Sequence, residues 1–352
     1  MNFKKTIVPV LRIFLLPVSV IYGLIIYIRN FLFDKKILHS KSFNLPVICV
    51  GNISVGGTGK TPMVEYLIKI FQHQNFSTAT ISRGYRRKTK GFLLADDKTN
   101  VTDIGDEPMQ FHSKYPGVAV CVGEDRVNAI EQLLQSKPET EIIILDDAFQ
   151  HRKIKAGLNI LLTDYNNLFY KDCFLPVGNL RDQRSAAKRA DIIVVTKCPQ
   201  SISFKEQQFI NKKIDRKNIF FTAINYGNPY HISNSEEIIL NKEMHYVLIH
   251  GIANANSLRH YLASFDKNFE EIQFNDHHDY SKNDIQKIIA HYNNQVRKSI
   301  IITTEKDAVK LKGFNNQLSA LPLYILPVEV FFLFNEKEKF DNMINNFVLS
   351  FN

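Results

Sequence analysis

The chain has 352 residues, enough for two average domains, and its 45% hydrophobic and 22% charged content, with no low-complexity tract, excludes a disordered or fibrous protein. Lys and Arg (44) outnumber Asp and Glu (35), leaving a net charge of +9 that favours anionic partners, whether nucleic acid, acidic lipid or phosphorylated metabolites. Cys49, Cys121, Cys173 and Cys198 are widely spaced and form no C-x-x-C pair, so neither a zinc site nor a disulfide framework is indicated and a reducing compartment fits.

The first element is an apolar segment. "IFLLPVSVIYGLIIYI", Ile13 to Ile28, carries no charge and is flanked by Lys4, Lys5 and Arg12 before and by Arg29, Lys35 and Lys36 after. As a helix it covers about 24 Å, short of the roughly 30 Å hydrocarbon layer, and basic flanks on both sides set no orientation. An interfacial or partly inserted helix, its cations among acidic headgroups, is therefore expected over a full span. A signal peptide has the same outline, though no small-residue cleavage site is evident, and a helix buried in the core remains the other alternative.

Apolar runs of strand length then follow, each stopping at polar residues: "LPVICV" before Gly51, "STATI" before Ser82, "VAVCV" before Gly123, "EIIILD" before Asp147, "DIIVV" before Thr196, "HYVLI" before His250 and "SIIIT" before Thr304. Helix-like stretches such as 61–72 and 126–134 lie between them, which argues βαβ units and a mainly parallel sheet. In such sheets ligands bind beyond the carboxyl ends of the strands, where these polar clusters fall. A boundary is expected between about Lys212 and Lys242, where short polar pieces such as "NYGNPYHISNSEE" interrupt the pattern.

"GNISVGGTGKT", 51–61, sits between a strand and a helix, the context a phosphate loop requires. Gly51, Asn52, Ser54, Val55, Gly56, Gly57, Thr58, Gly59, Lys60 and Thr61 are the candidate nucleotide-binding residues: the glycines let the backbone approach phosphate, while Lys60 and Thr61 contact phosphate and Mg²⁺. Ser54 stands where the common pattern has its first glycine. Partitioning ATPases of membranes carry a lysine directly before the paired glycines, and here that position is Val55. The strand "EIIILDD" ends in Asp146 and Asp147, oxygen ligands suited to Mg²⁺, with a helix cap as the alternative.

Other clusters are weaker alone. "SRGYRRK" (82–88) offers Arg83, Arg86, Arg87 and Lys88 at a strand end, or a solvated loop. "GDEP" (105–108) offers Asp106 and Glu107, with a helix N-cap as the default, and "NDHHDY" (275–280) offers His277 and His278, with a surface turn as the competing reading.

In order, "GNISVGGTGKT", "SRGYRRK", "GDEP", "GEDR", "LDDAFQHRK", "LPVGNLRD", "GIAN", "DHHDY" and "TTEKDAVKL" resemble the tetraacyldisaccharide 4'-kinase family of lipid A assembly, over nearly the whole chain. Ser54 then looks like the family's own form of the loop. The resemblance implies an α/β fold: a P-loop NTPase-like parallel sheet flanked by helices, a second smaller α/β domain and an N-terminal membrane-associated helix. The corresponding ranges are 1–40 for the helix, 41–225 for the P-loop kinase domain, 226–245 for a linker and 246–352 for the C-terminal domain.

The implied reaction is ATP- and Mg²⁺-dependent phosphorylation of the 4'-hydroxyl of a lipid A disaccharide 1-phosphate, on the cytoplasmic face of a bacterial inner membrane. It implies Lys60 on phosphate, Thr61, Asp146 and Asp147 at the metal, Asp106 as base for the sugar hydroxyl and His277 as its partner. Arg83, Tyr85, Arg126 and Gln150 fall in matching motifs on the substrate or phosphate side. Asp182 of "LRD" stands where the family has glutamate, which puts a phosphate-side role for it in question. A membrane-associated regulatory ATPase is the alternative reading. A GTP-binding protein is supported only by "VVTKCP", in which Pro199 takes the place of a guanine-reading aspartate. Neither nucleic acid nor a protein partner is expected.

Overall fold

The computed structural model describes residues 14–295 and 297–351. The part of the apolar segment at Ile13, with Lys4, Lys5 and Arg12, lies outside the described residues, and helix α1 spans Leu16–Asp34, continuing past the charge-free run. Its buried residues are Ser19, Ile26, Asn30 and Phe33, whereas Val20, Ile21, Leu24, Ile25, Tyr27 and Ile28 are exposed. The helix is long and apolar enough to cross a membrane by length and composition.

All seven apolar runs form strands. The chain continues through β1 (Val47–Asn52), α2 (Lys60–His73), β2 (Thr78–Ser82), β3 (Leu93–Leu94), α3 (Val101–Ile104), α4 (Asp106–Lys114), β4 (Ala119–Val122), α5 (Arg126–Ser136) and β5 (Ile142–Asp146). Next come β6 (Leu158–Asp164), β7 (Ile192–Thr196), α6 (Phe204–Ile214), β8 (Ile219–Tyr226), β9 (Tyr230–His231), β10 (His245–His250), α7 (Asn256–Ala263) and β11 (Glu270–Gln273). Then follow α8 (Lys282–Asn293), β12 (Ser299–Thr304), α9 (Glu305–Leu311), α10 (Asn315–Leu318), β13 (Leu323–Leu326), β14 (Val328–Phe332) and α11 (Lys337–Leu349).

The larger sheet has nine strands in the order β14-β8-β7-β6-β1-β5-β2-β4-β3, parallel except at its two edges, β14 and β3. β1 is buried along its whole length, and its side chains alternate between two cores: Val47 and Cys49 join one face, Ile48 and Val50 the other. That alternation is what a central strand covered by helices on both faces requires. The smaller sheet runs β11-β10-β12-β13-β9, parallel except for β9.

The sheets divide the chain differently from the ranges 226–245 and 246–352. β9 falls within the expected linker but pairs with β13, and the chain returns after β13 to the larger sheet, where β14 pairs antiparallel with β8. Phe332 and, on α11, Phe340, Ile344 and Val348 fill the core beneath β1, which gives that return its apolar driving force.

The two sheets meet through α4 and α9, which lie antiparallel. Lys310 at one end of α9 reaches Asp106 at the start of α4 at 2.9 Å. At the other end Lys114 bridges Glu305 of α9 and Glu65 of α2, the latter at 2.6 Å. Burial, then the Glu305 charge, push the Glu65 carboxyl up, and Lys114 between them offsets that cost. Cys49, Cys121 and Cys198 are core residues whose thiols burial pushes up to about 12.

Candidate functional site

The carboxyl ends of β1 and β5 create the first half of the site. After Asn52 the chain forms a loop that ends at Gly59, whose φ of 80° is a left-handed conformation open to glycine, and α2 starts at Lys60. The loop explains its own odd residue. Ser54 does not take a positive φ; it makes a β-bridge to Leu180, and Val55 N donates to Asn179 O at 2.7 Å, so a side chain is accommodated there. Asn52 Nδ2 donates to Thr58 Oγ1 at 2.8 Å, and Gln150 Nε2 donates to Asn52 O at 2.6 Å. Gln150 is thus a brace for the loop.

Three residues absent from the sequence-derived set, Thr196, Lys197 and Arg181, also shape this half. Lys197 donates to Gly57 O and pairs with Asp164 at 2.9 Å, while Thr196 Oγ1 donates to Thr58 O at 2.9 Å. The Thr-Lys of "VVTKCP" is therefore committed to the phosphate loop. Arg181 grips Asp147 through two nitrogens at 2.7 and 3.1 Å and also bonds Asn52 Oδ1.

Asp147 has φ 50°, a left-handed conformation unusual outside glycine. Its Oδ1 lies 3.7 Å from Lys60 Nζ. Burial opposes ionisation of Asp147, but Lys60 and Arg181 outweigh it and hold the carboxyl below its usual range. Its neighbour behaves in the opposite way: burial, then the Asp147 charge, push Asp146 up to about 7. Asp146 Oδ1 is buried with no hydrogen-bond partner.

An orphaned Asp146 oxygen next to the Asp147 carboxylate, with the Thr61 hydroxyl in the first turn of α2, is a donor set suited to Mg²⁺. That ion takes oxygen ligands and usually completes its shell from phosphates and water. Among the described residues no group of three or more His, Cys, Asp or Glu could hold a metal ion. Arg126 is buried within Coulombic reach of both Asp146 and Asp147; its Nη1 donates to Gly123 O at 2.9 Å, and its Nε has no partner.

The second half comes from both sheets. Gly105, with φ 93°, caps α4, so Asp106 is the first helical residue rather than the N-cap. Its Oδ2 meets His277 Nδ1 at 2.8 Å, and His277 comes from the turn after β11, 171 residues away in sequence. His277 also holds a left-handed φ of 58°. Arg86 (φ 62°) and Lys197 (φ 57°) hold the same conformation, as do residues away from the site such as Asn75 and Asp215, so the conformation by itself does not mark the site. The Glu107 charge acts on Asp146, so this half lies within electrostatic reach of that carboxyl.

Tyr85 is exposed and meets the His277 ring edge-on at 5.5 Å. Arg83 is exposed in the same loop, and its charge acts on Arg126. Arg87, by contrast, is paired with Glu124 at 2.6 Å, and His278 stacks on Phe274 and bonds Asp284, so these two are structural.

Asp182 departs from the phosphate-side expectation. It is fully buried beneath α1, accepting from Asn30 Nδ2 at 2.7 Å, Arg189 Nη2 at 2.7 Å and its neighbour Gln183 N at 2.8 Å. Arg181 and Asp182 thus face opposite ways, one into the site and one under the helix. The same seam holds Arg29 on Gln150 O and Arg152 on Asn30 O.

A model of the family described as tetraacyldisaccharide-1-P 4'-kinase matches residues 11–349. A tetraacyldisaccharide 4'-kinase of Flavobacterium psychrophilum is 46% identical over 97% of this chain and 98% of its own length. One of Flavobacterium johnsoniae is also 46% identical, over 96% of this chain and 97% of its own length. Among solved structures, LpxK from Aquifex aeolicus in complex with ATP superposes with a TM-score of 0.74 at 31% identity, covering 96% of this chain and 99% of that one.

Proposed function

The chain belongs to the tetraacyldisaccharide 4'-kinase family, and from that premise we propose how its residues carry out the reaction. The enzyme transfers the γ-phosphoryl group of ATP to the 4'-hydroxyl of a tetraacyldisaccharide 1-phosphate, giving lipid IVA in lipid A biosynthesis. The observation that carries the residue assignment is the 2.8 Å contact between Asp106 and His277, which brings together residues from the two sheets.

Residues 51–61 wrap the triphosphate, with backbone N–H groups and the start of α2 facing its oxygens. Lys60 moves from Asp147 toward the β- and γ-phosphates, and Arg181 keeps Asp147 fixed meanwhile. Thr61, Asp146 and Asp147 would hold Mg²⁺, which when bound neutralises charge on the β- and γ-phosphate oxygens. Asp106 orients the 4'-hydroxyl and takes its proton as the sugar oxygen bonds to γ-phosphorus. The bond from that phosphorus to the β–γ bridging oxygen breaks, and ADP leaves with the electron pair. His277 Nδ1–H steadies the Asp106 carboxylate throughout. Arg83, Tyr85 and Arg126 line the side where an anionic acceptor approaches.

We place the protein on the cytoplasmic face of the inner membrane, with the exposed apolar face of α1 in the bilayer surface that holds the acceptor's acyl chains. The +9 charge suits both acidic headgroups and a phosphorylated acceptor. The regulatory ATPase reading is not favoured, since the position before the paired glycines is Val55.

Turnover of Asp106→Ala and His277→Ala tests the assignment. Both should lose about 100-fold or more in kcat, the scale of general-base catalysis, with ATP binding nearly unchanged. Near-normal turnover of Asp106→Ala would reject it.

A further inference from the structure

Two lysines of α9 stand on the Asp106–His277 pair. Lys310 Nζ is buried, 2.9 Å from Asp106 Oδ2, the same oxygen that His277 Nδ1 meets, and it also donates to His278 O at 3.0 Å. Lys306, one helical turn earlier, has its Nζ 2.9 Å from His277 Nε2. An ammonium can only donate, so Nε2 accepts and Nδ1 carries the proton given to Asp106. One turn of one helix therefore fixes both the carboxylate and the imidazole tautomer.

We propose that Lys310 is a positioning residue for phosphoryl transfer: it anchors Asp106 Oδ2 together with His277, leaves Oδ1 to accept the sugar hydroxyl, and keeps the buried carboxylate ionised. The proposal rests on Asp106 being the base. Burial on its own raises Asp106, and the bonds from His277 and Lys310 outweigh it, holding the carboxyl below its usual range. The remaining charged neighbours leave Lys310 as the direct counter-charge. From α4, Glu107 lies 3.7 Å from Lys306; from the turn before α8, Asp276 lies 3.4 Å from Lys306 and Asp279 3.7 Å from Lys310. From the loop after β2, Arg86 reaches only the His277 carbonyl, at 3.4 Å, and Tyr85 only its ring. Because α9 belongs to the smaller sheet and Asp106 to the larger, the base is complete only while the two are in contact.

The test is the pH profile of kcat/KM for the lipid acceptor in Lys310→Gln and Lys310→Arg, with ATP KM and thermal melting measured alongside. Lys310→Gln keeps a hydrogen-bond donor but removes the charge. Its acidic limb should move to higher pH, because Asp106 then protonates more readily, and kcat near neutral pH should fall about 10- to 100-fold with ATP KM within about twofold. Lys310→Arg should restore the limb. A Lys310→Gln profile identical to the parent's, or a loss equal at every pH with no movement of the limb, would overturn the proposal. Inactive Asp106→Ala alongside an unshifted Lys310→Gln refutes only the role of Lys310; active Asp106→Ala refutes the base assignment beneath it.

Discussion

Replacing Arg189 by methionine should destabilise the enzyme far more than loss of a surface ion pair. Asp182 has no exposed surface, and among the described residues Arg189 is its cationic partner, at 2.7 Å on Oδ2; Oδ1 keeps its bonds from Asn30 and Gln183. Arg189→Met preserves an apolar stem near the Phe149 ring, over which the guanidinium now sits at 4.5 Å, while removing the charge and the bond from Nη1 to Phe149 O at 3.1 Å. Stranding one member of a buried pair costs about 3–5 kcal/mol, and the two surviving hydrogen bonds favour the lower end. For domains of this size that corresponds to a fall in melting temperature on the order of 10 °C. Thermal unfolding in detergent should be followed for Arg189→Met, Asp182→Asn and the double variant. The double variant should recover most of the loss, because no charge is left unpaired. Arg189→Met melting within about 1 kcal/mol of the parent, or a double variant no better than the single, would refute a buried charge holding α1 to the site. Since Arg181 is the next residue along, the single variant should also bind ATP less well.

Mg²⁺ should stabilise the protein more at about pH 8 than at about pH 6. Asp146 is raised to about 7 in the fold, so the metal-free protein loses stability as pH rises from its ordinary carboxylate range through about 7; the ion then reverses the loss, and an equal melting shift at both pH values would contradict the site. Lys197→Met, which removes the cation on Gly57 O, should raise the KM for ATP several-fold with a smaller change in the KM for lipid, and a change confined to the lipid would exclude its role as a loop brace. Membranes washed with high salt should retain the protein through the apolar face of α1, whereas release by salt alone would limit attachment to charge.

The parts of this protein legible in its sequence are those whose signal is local. Seven strands announce themselves as apolar runs ending in polar residues, and the phosphate loop as glycines between a strand and a helix. β6 escaped notice because it follows "DDAFQHRK" with no helix between β5 and β6 to mark a βαβ unit, and β14 because its pairing with β8 leaves no trace in either segment. Asp106 and His277 became candidates together only through family resemblance, as nothing local relates residues 171 apart. Lys310 and Lys197 have no local signal, because their partners Asp106 and Gly57 O are far away in sequence. At Asp182 the motif located the right segment but the wrong side chain: Arg181 enters the site, and its neighbour turns under α1.

Transfer of labelled γ-phosphate from ATP to a tetraacyldisaccharide 1-phosphate in detergent micelles with Mg²⁺, with Lys60→Ala run in parallel, tests the central claim most directly. The account predicts a lipid product phosphorylated at the 4'-hydroxyl that disappears in Lys60→Ala. ATP hydrolysis without any labelled lipid, or lipid phosphorylation undiminished in Lys60→Ala, would contradict it.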